Sequence, residues 1–156
     1  MRRDSRLSRM LHVLIHMDRH QQAATSETIA AMLNTNPVVV RRTMAGLREK
    51  GYVRSERGHG GGWSLARSLS EITLRDVYRA IGDPPMFAFG PASDRPDCLV
   101  EQAVNAAVND VLQEAHALVL ARLGQVTLAD VAADFDQRMK TAKRPADAHP
   151  KACDIG

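Results

Sequence analysis

The sequence predicts a mainly α fold with a small β-hairpin wing: a winged helix-turn-helix domain followed by a long dimerisation helix. Three observations carry this expectation. Three amphipathic segments stand in tandem within residues 4–50, and the second and third are joined by a turn of about four residues. A glycine-rich stretch, Gly58-His59-Gly60-Gly61-Gly62, then separates two β-like runs. Further on, apolar residues recur at alternating steps of four and three through residues 98–123.

Each element has a local cause. Leu7, Met10, Leu11, Leu14 and Ile15 form one apolar stripe, which predicts a first helix over about 4–20. Gln21–Ala24 is a connector. Thr25 or Ser26 can cap the next helix, Glu27 adds a carboxylate to its first turn, and Ile29, Ala30 and Leu33 point inward. Asn34–Asn36 is turn-prone, and Pro37 suits the first position of a helix, where its missing N–H is no loss. That third helix carries Val40, Met44 and Leu47 on one face, and Gly51 is its natural C-terminal stop. Residues 52–57 and 63–66 read as the two strands of a hairpin. Residues 70–81 read as one helix with Thr73 as its cap, ended by Gly82-Asp83-Pro84-Pro85.

Residues 83–97 hold four prolines and no periodicity, so a loop is expected there. In the long helix that follows, Val104, Val108, Val111, Ala115 and Leu118 make a heptad seam, which Ala103, Ala107, Leu112, Val119 and Leu123 broaden. So wide an apolar face must be covered, and a second copy of the same helix in a twofold homodimer is the economical cover. A short last helix begins at Thr127 and is expected to end near Met139. The expected organisation is therefore a winged helix-turn-helix domain over 1–82, a loop over 83–97, dimerisation and terminal helices over 98–139, and a disordered tail over 140–156.

Composition narrows the function. Across 156 residues, 44% are hydrophobic and 25% charged, an ordinary globular mix. No apolar run is long enough to span a bilayer. The basic, then apolar, N-terminus is interrupted by Arg6, Arg9, His12, His16 and Asp18, so it reads as a helix of a cytoplasmic protein rather than a signal peptide. Two cysteines, Cys98 and Cys153, exclude a disulfide scaffold and a zinc site built from cysteine pairs. The net charge of +3 hides an asymmetry. Residues 1–67 hold twelve Lys/Arg against five Asp/Glu, a net of +7, and residues 68–156 hold nine against thirteen, a net of −4. A basic first half suggests a polyanionic partner. One Trp, two Tyr and three Phe are too few for a single-strand stacking platform, which leaves double-stranded DNA.

In a helix-turn-helix, the N-terminal residues of the second helix meet base edges in the major groove. Here these are Asn36, Val38, Val39, Arg41 and Arg42. The valines can pack on thymine methyl groups, and an arginine can donate twice to a guanine edge. Thr25, Ser26 and the start of the second helix can hold a phosphate. Arg57, with Arg54, His59 and Gly60 close by in the wing, can enter the minor groove or contact phosphate alone. His-Gly-Gly-Gly also supplies oxyanion-hole donors in esterases, but this chain lacks the Gly-x-Ser-x-Gly elbow and is too short for that fold. The sequence therefore points away from an enzyme.

The stretches NPVVVRRTMAGLREKGYV, RGHGGGWSLA and TLRDVYRAIG together resemble the Rrf2 family of winged-helix regulators, over about residues 5–139. The resemblance implies homodimers bound to operator DNA through the recognition helix and wing, with residues 98–123 as the dimerisation helix. Many members hold an iron–sulfur cluster on three cysteines in the loop before that helix. Cys98 stands where the last of these would be, and residues 82–97 contain no cysteine. One thiolate cannot supply the roughly four ligands that a cluster site needs. Two copies of Cys98 in a dimer, with Asp94, Asp97 or a histidine, are the remaining donors. The expectation is a regulator, more specifically a repressor, without a bound cluster or metal.

The signal is left open between a small molecule and an oxidant. Cys98, at a helix N-terminus, suits a thiol-based redox sensor, or it is an inert small side chain. The apolar loop Pro84–Gly90 either packs on the dimerisation helix or lines a small-molecule pocket. His12, His16 and His20 either share a metal or form a solvated face. A small hydrolase or metal-binding enzyme using His59 or these histidines is the rival from another class.

Overall fold

The structure, a computed structural model, describes residues 4–20, 22–58, 61–91 and 98–142. His59, Gly60, Asp94, Asp97, Cys153 and the segment 143–156 lie outside the described residues.

The observed elements are α1 (Arg6–His20), α2 (Ser26–Leu33), α3 (Pro37–Glu49), β1 (Val53–Glu56), β2 (Gly62–Leu65), a single 3-10 turn (Leu69–Glu71), α4 (Leu74–Ala80), α5 (Leu99–Leu123) and α6 (Leu128–Ala142). The helix-turn-helix is built from sequence-local devices. Thr25 caps α2, its hydroxyl accepting the Thr28 N–H at 3.1 Å. Asn34 ends α2 in the left-handed conformation with φ 49°. Asn36 caps α3, its side-chain oxygen accepting the Val38 N–H at 2.8 Å, and Pro37 follows at the first helical position. Gly51 turns the chain out of α3 at φ 75°, a conformation with little steric cost only for glycine. β1 and β2 then pair antiparallel, Val53 opposite Leu65 and Ser55 opposite Trp63.

One core unites these elements. Val13 and Leu14 of α1, Ile29 of α2, Val40, Met44 and Leu47 of α3, Val53 of β1 and Val77 of α4 are all fully buried. Of the predicted stripes, Met10, Leu14, Ile29, Ala30, Val40, Met44 and Leu47 meet there; Leu7, Leu11, Ile15 and Leu33 are only partly covered, and α1 buries Val13 and Met17 beyond its predicted stripe.

Three boundaries differ from expectation. The single helix expected over 70–81 is a 3-10 turn followed by a separate α4. Two capping boxes in succession cause the break. Ser68 N–H and Oγ bond the Glu71 carboxylate at 3.1 and 2.7 Å, and Thr73 then exchanges bonds with Asp76 at 2.9 and 3.2 Å. Each box starts a new turn, and Ile72 between them is extended and fully buried. The last helix continues to Ala142, so residues 140–142, assigned to a disordered tail, are helical.

The third difference is one of organisation. α6 was grouped with the dimerisation helix, outside the winged unit, yet it packs into that unit's core. Thr127 and Asp130 form a third capping box at 2.8 and 3.2 Å. The two helix starts lie side by side: the Leu74 N–H donates to Val126 O, and the Leu128 N–H donates to Ile72 O, each at 2.9 Å. Leu128 is fully buried, and Arg19 of α1 pairs with Asp136 while lying 5.1 Å from the Phe135 ring. Leu128→Ala should therefore destabilise the winged unit by about 2–5 kcal/mol. Urea denaturation followed by Trp63, the only tryptophan, checks this. An unshifted Trp63 transition would mean that α6 is not part of that core.

Candidate nucleic-acid interface

The recognition helix presents its first turns to solvent. Val38 and Val39 are 64% and 49% exposed, and Arg41 and Arg42 are exposed beside them. Val40, between these pairs, faces the core, as the helical period requires. Two exposed valines on a polar surface cost solvation unless something covers them. Arg42 has no ion-pair partner among the described residues. Arg41 is engaged: one of its terminal nitrogens donates to Glu27 Oε1 of α2 at 2.5 Å. Asn36 spends its side-chain oxygen on the cap, so only its amide nitrogen is free to reach DNA.

At the start of α2, the two candidates for phosphate contact separate. Thr25 is exposed, and its hydroxyl lies 2.9 Å from that of Thr28. Ser26 is buried, and its hydroxyl accepts the Trp63 indole N–H at 3.0 Å. The Ser26 hydroxyl is thus a structural anchor for the wing, which leaves only backbone N–H groups at this position for a phosphate. The sequence missed this because nothing local ties position 26 to a tryptophan 37 residues away.

The wing is held at the same place. Ala24 and Trp63 exchange both backbone hydrogen bonds at 2.9 Å, an isolated β-bridge on the edge of the hairpin. This contact explains Gly62, where a Cβ would lie 2.7 Å from Ala24 O. Within the hairpin, Arg54 is pinned by Ser64 Oγ at 3.0 Å and by Glu56 at 3.5 Å. Arg57 is exposed and unpaired among the described residues.

The other candidates are dispersed. Along α5, Val104, Val111 and Leu118 are 54%, 66% and 73% exposed, while Val108 and Ala115 are half-buried. Cys98 caps α5 and is exposed; the N–H groups of Glu101 and Val100 hold its thiol below the usual thiol range. The His12 and His16 rings are tilted by 55° with centroids 4.6 Å apart, and those of His16 and His20 stack at 5.9 Å. Burial, then repulsion from His12, His20 and Arg19, keeps His16 below its ordinary value. The rise along a helix separates His12 from His20 by about 12 Å, so the three do not converge on one ion. The loop after α4 is tied back to α4 and borders a cleft. Tyr78 OH donates to Pro84 O at 2.7 Å. Residues 84–88, with Leu7, Val119 and Leu123, line an open cleft of about 760 Å³.

An exposed helix at the second position of a tight helix-turn-helix, beside an anchored hairpin wing, defines a winged helix-turn-helix DNA-binding protein. The family model described as "Rrf2: Iron-dependent Transcriptional regulator" matches residues 3–134, and the chain belongs to the Rrf2 family. YwnA of Bacillus subtilis, whose name marks it as of the HTH transcriptional-regulator type, is 32% identical over 130 residues, covering 82% of this chain and 95% of YwnA. A transcriptional regulator from Lactobacillus plantarum has the same fold with a TM-score of 0.69 at 24% identity, over 89% of this chain and 99% of that one. T. potens IscR has a TM-score of 0.64 at 19% identity, over 95% and 94%. As in these relatives, the fold is mainly helical with one hairpin. No helix among the described residues is long and apolar enough to cross a membrane.

The family description names iron. Among the described residues, no three His, Cys, Asp or Glu side chains come together to hold a metal, and Cys98 stands alone at the tip of α5.

The two wing arginines give a ranked expectation. Arg57→Ala should weaken specific DNA binding by about 1–3 kcal/mol if it reads a base edge, or lower the salt slope by about one if it meets phosphate. Arg54→Ala should do less, because Arg54 is tied within the wing. Mobility-shift titrations at several salt concentrations decide, and an Arg54 effect larger than that of Arg57 would refute the ranking.

Proposed function

We propose that this protein is a cytoplasmic, homodimeric, sequence-specific transcriptional repressor that binds double-stranded operator DNA without an iron–sulfur cluster and without enzymatic activity. The observation that carries it is the exposed start of α3, where two valines and two arginines stand ready for thymine methyl groups and guanine edges. Residues 1–67, with a net charge of +7, supply the phosphate-directed attraction. Repression follows from occupancy, since a dimer seated on an operator excludes other proteins from it.

The dimer reading rests on α5. This 25-residue helix leaves Val100, Val104, Val111 and Leu118 exposed at heptad-like spacing. A twofold partner would bury this row against itself. Replacing Val111 and Leu118 together by Glu should give a folded monomer by light scattering and circular dichroism. It should also abolish specific retardation of the protein's own promoter DNA, because a lone subunit grips only one half-site. A dimer that survives the double substitution, or wild-type binding no tighter than to random DNA at every salt level, would sink the reading. Stoichiometric iron and sulfide after anaerobic purification would overturn its cluster-free part.

The position of Cys98 supports a second reading, a thiol-based redox sensor. The thiol is exposed and stabilised as thiolate by two backbone N–H groups. With Cys153 replaced by Ser, alkylation by iodoacetamide should accelerate with pH through an inflection below that of an ordinary cysteine, since the thiolate is the reacting form. Cys98→Ser should remove any effect of peroxide on DNA binding. A response that persists without Cys98 assigns the sensing elsewhere.

A further inference from the structure

We propose that Glu27 is a specificity-determining residue: its carboxylate holds Arg41 of the recognition helix and turns that arginine away from phosphates and toward neutral base edges. The inference rests on the DNA-binding reading above and adds a residue that the sequence had placed only as a helix-start carboxylate.

Glu27 is the second residue of α2, and Arg41 is the fifth of α3. Their 2.5 Å contact crosses the helix-turn-helix from outside, with both side chains more than half exposed. It does little for stability, since surface pairs of this kind contribute little. Its consequence is electrostatic and directional. The Glu27 carboxylate also bonds its own backbone N–H and lies near the Thr25 hydroxyl, and together with Arg41 these partners keep it ionised below the usual carboxylate range. The position at the start of α2 that would attract a DNA phosphate therefore already holds an anion.

A phosphate approaching Arg41 meets the repulsion of that carboxylate. A guanine edge does not, because N7 and O6 are uncharged acceptors. A guanidinium has five N–H donors and spends one on Glu27, so it retains enough to bond a base. Glu27 thus penalises the wrong contact more than the right one, which is how specificity arises from a repulsive element. Arg42, which has no such partner among the described residues, is left for the backbone.

The test uses the full-length dimer and two duplexes: the sequence selected by the wild-type protein from a random pool, and a scrambled duplex of the same composition. Glu27→Gln should tighten binding to the scrambled duplex and lower the ratio of selected to scrambled affinity on the order of tenfold. It should also steepen the salt dependence by about one counterion per protomer, because Arg41 is no longer neutralised. In an Arg41→Ala background, Glu27→Gln should change neither quantity. Three results overturn the inference: an unchanged ratio and slope; equal losses on both duplexes with a lowered Tm, which would make Glu27 merely structural; or the same effect with Arg41 absent. If the wild type selects no sequence from the pool, the DNA-binding reading itself fails, and this inference falls with it.

Discussion

The interface depends on one buried contact, the Trp63 indole against Ser26. The indole N–H donates to the Ser26 hydroxyl, and on either side of it the Trp63 backbone pairs with Ala24. A buried hydroxyl and a buried indole N–H each cost free energy if left alone, so the two lock each other in place. Through this contact the hairpin is fixed to the start of α2, and α2 is fixed to α3 by a three-residue turn with a cap at each end. A wing on a free hairpin would sweep a wide arc. Here the separation between Arg57 and the start of α3 is set before any DNA arrives, and the ordering entropy is spent in folding rather than in binding.

The same economy explains the charges. Among the described residues, arginines of the basic first half pair as Arg6 with Asp4, Arg19 with Asp136, Arg41 with Glu27 and Arg54 with Glu56. Arg42 and Arg57 stay outside this set. Each arginine used internally is removed from the pool that can neutralise phosphate, so the pairs shape the field as well as holding the structure.

Much of this was legible in the sequence, for a physical reason. The stripe of α3, the Thr25 and Thr73 caps, the Pro37 start and the two hairpin strands are encoded by neighbours within a few residues, and they stand in the structure; α1 differs, burying Val13 and Met17 where Leu7, Leu11 and Ile15 belong to the expected stripe. Four things were not legible, and the first three depend on distance or repetition. Ser26 reads as a cap or phosphate ligand until Trp63 is seen beside it. The break between residues 71 and 74 requires noticing that two capping boxes follow one another, each strong enough to restart the chain. The Glu27–Arg41 pair joins two helices, and either residue alone fits its local role. Residues 140–142 extend α6 because nothing in Lys140–Ala142 stops a helix, although the polar, proline-containing stretch that starts at Lys140 reads as a tail.

The placement of α6 has the widest consequence. A long helix attached only at one end could swing freely against the winged unit. α5 is instead followed after Gly124 by a chain that re-enters the core at Leu128, and the starts of α4 and α6 are bonded side by side through Leu74 and Val126, and through Leu128 and Ile72. The Arg75 guanidinium fills the space at Gly124, where a Cβ would lie 2.7 Å from its central carbon. The C-terminal end of α5 is therefore anchored directly to the unit that carries α3. In a dimer built on α5, the angle between the two α5 helices would fix the separation of the two recognition helices, and hence the half-site spacing that can be read. Conversely, any event that tilts α5, at Cys98 on its far end or at the cleft beside Val119 and Leu123, has a rigid path to that spacing. The anchoring makes the long helix a lever rather than a tether.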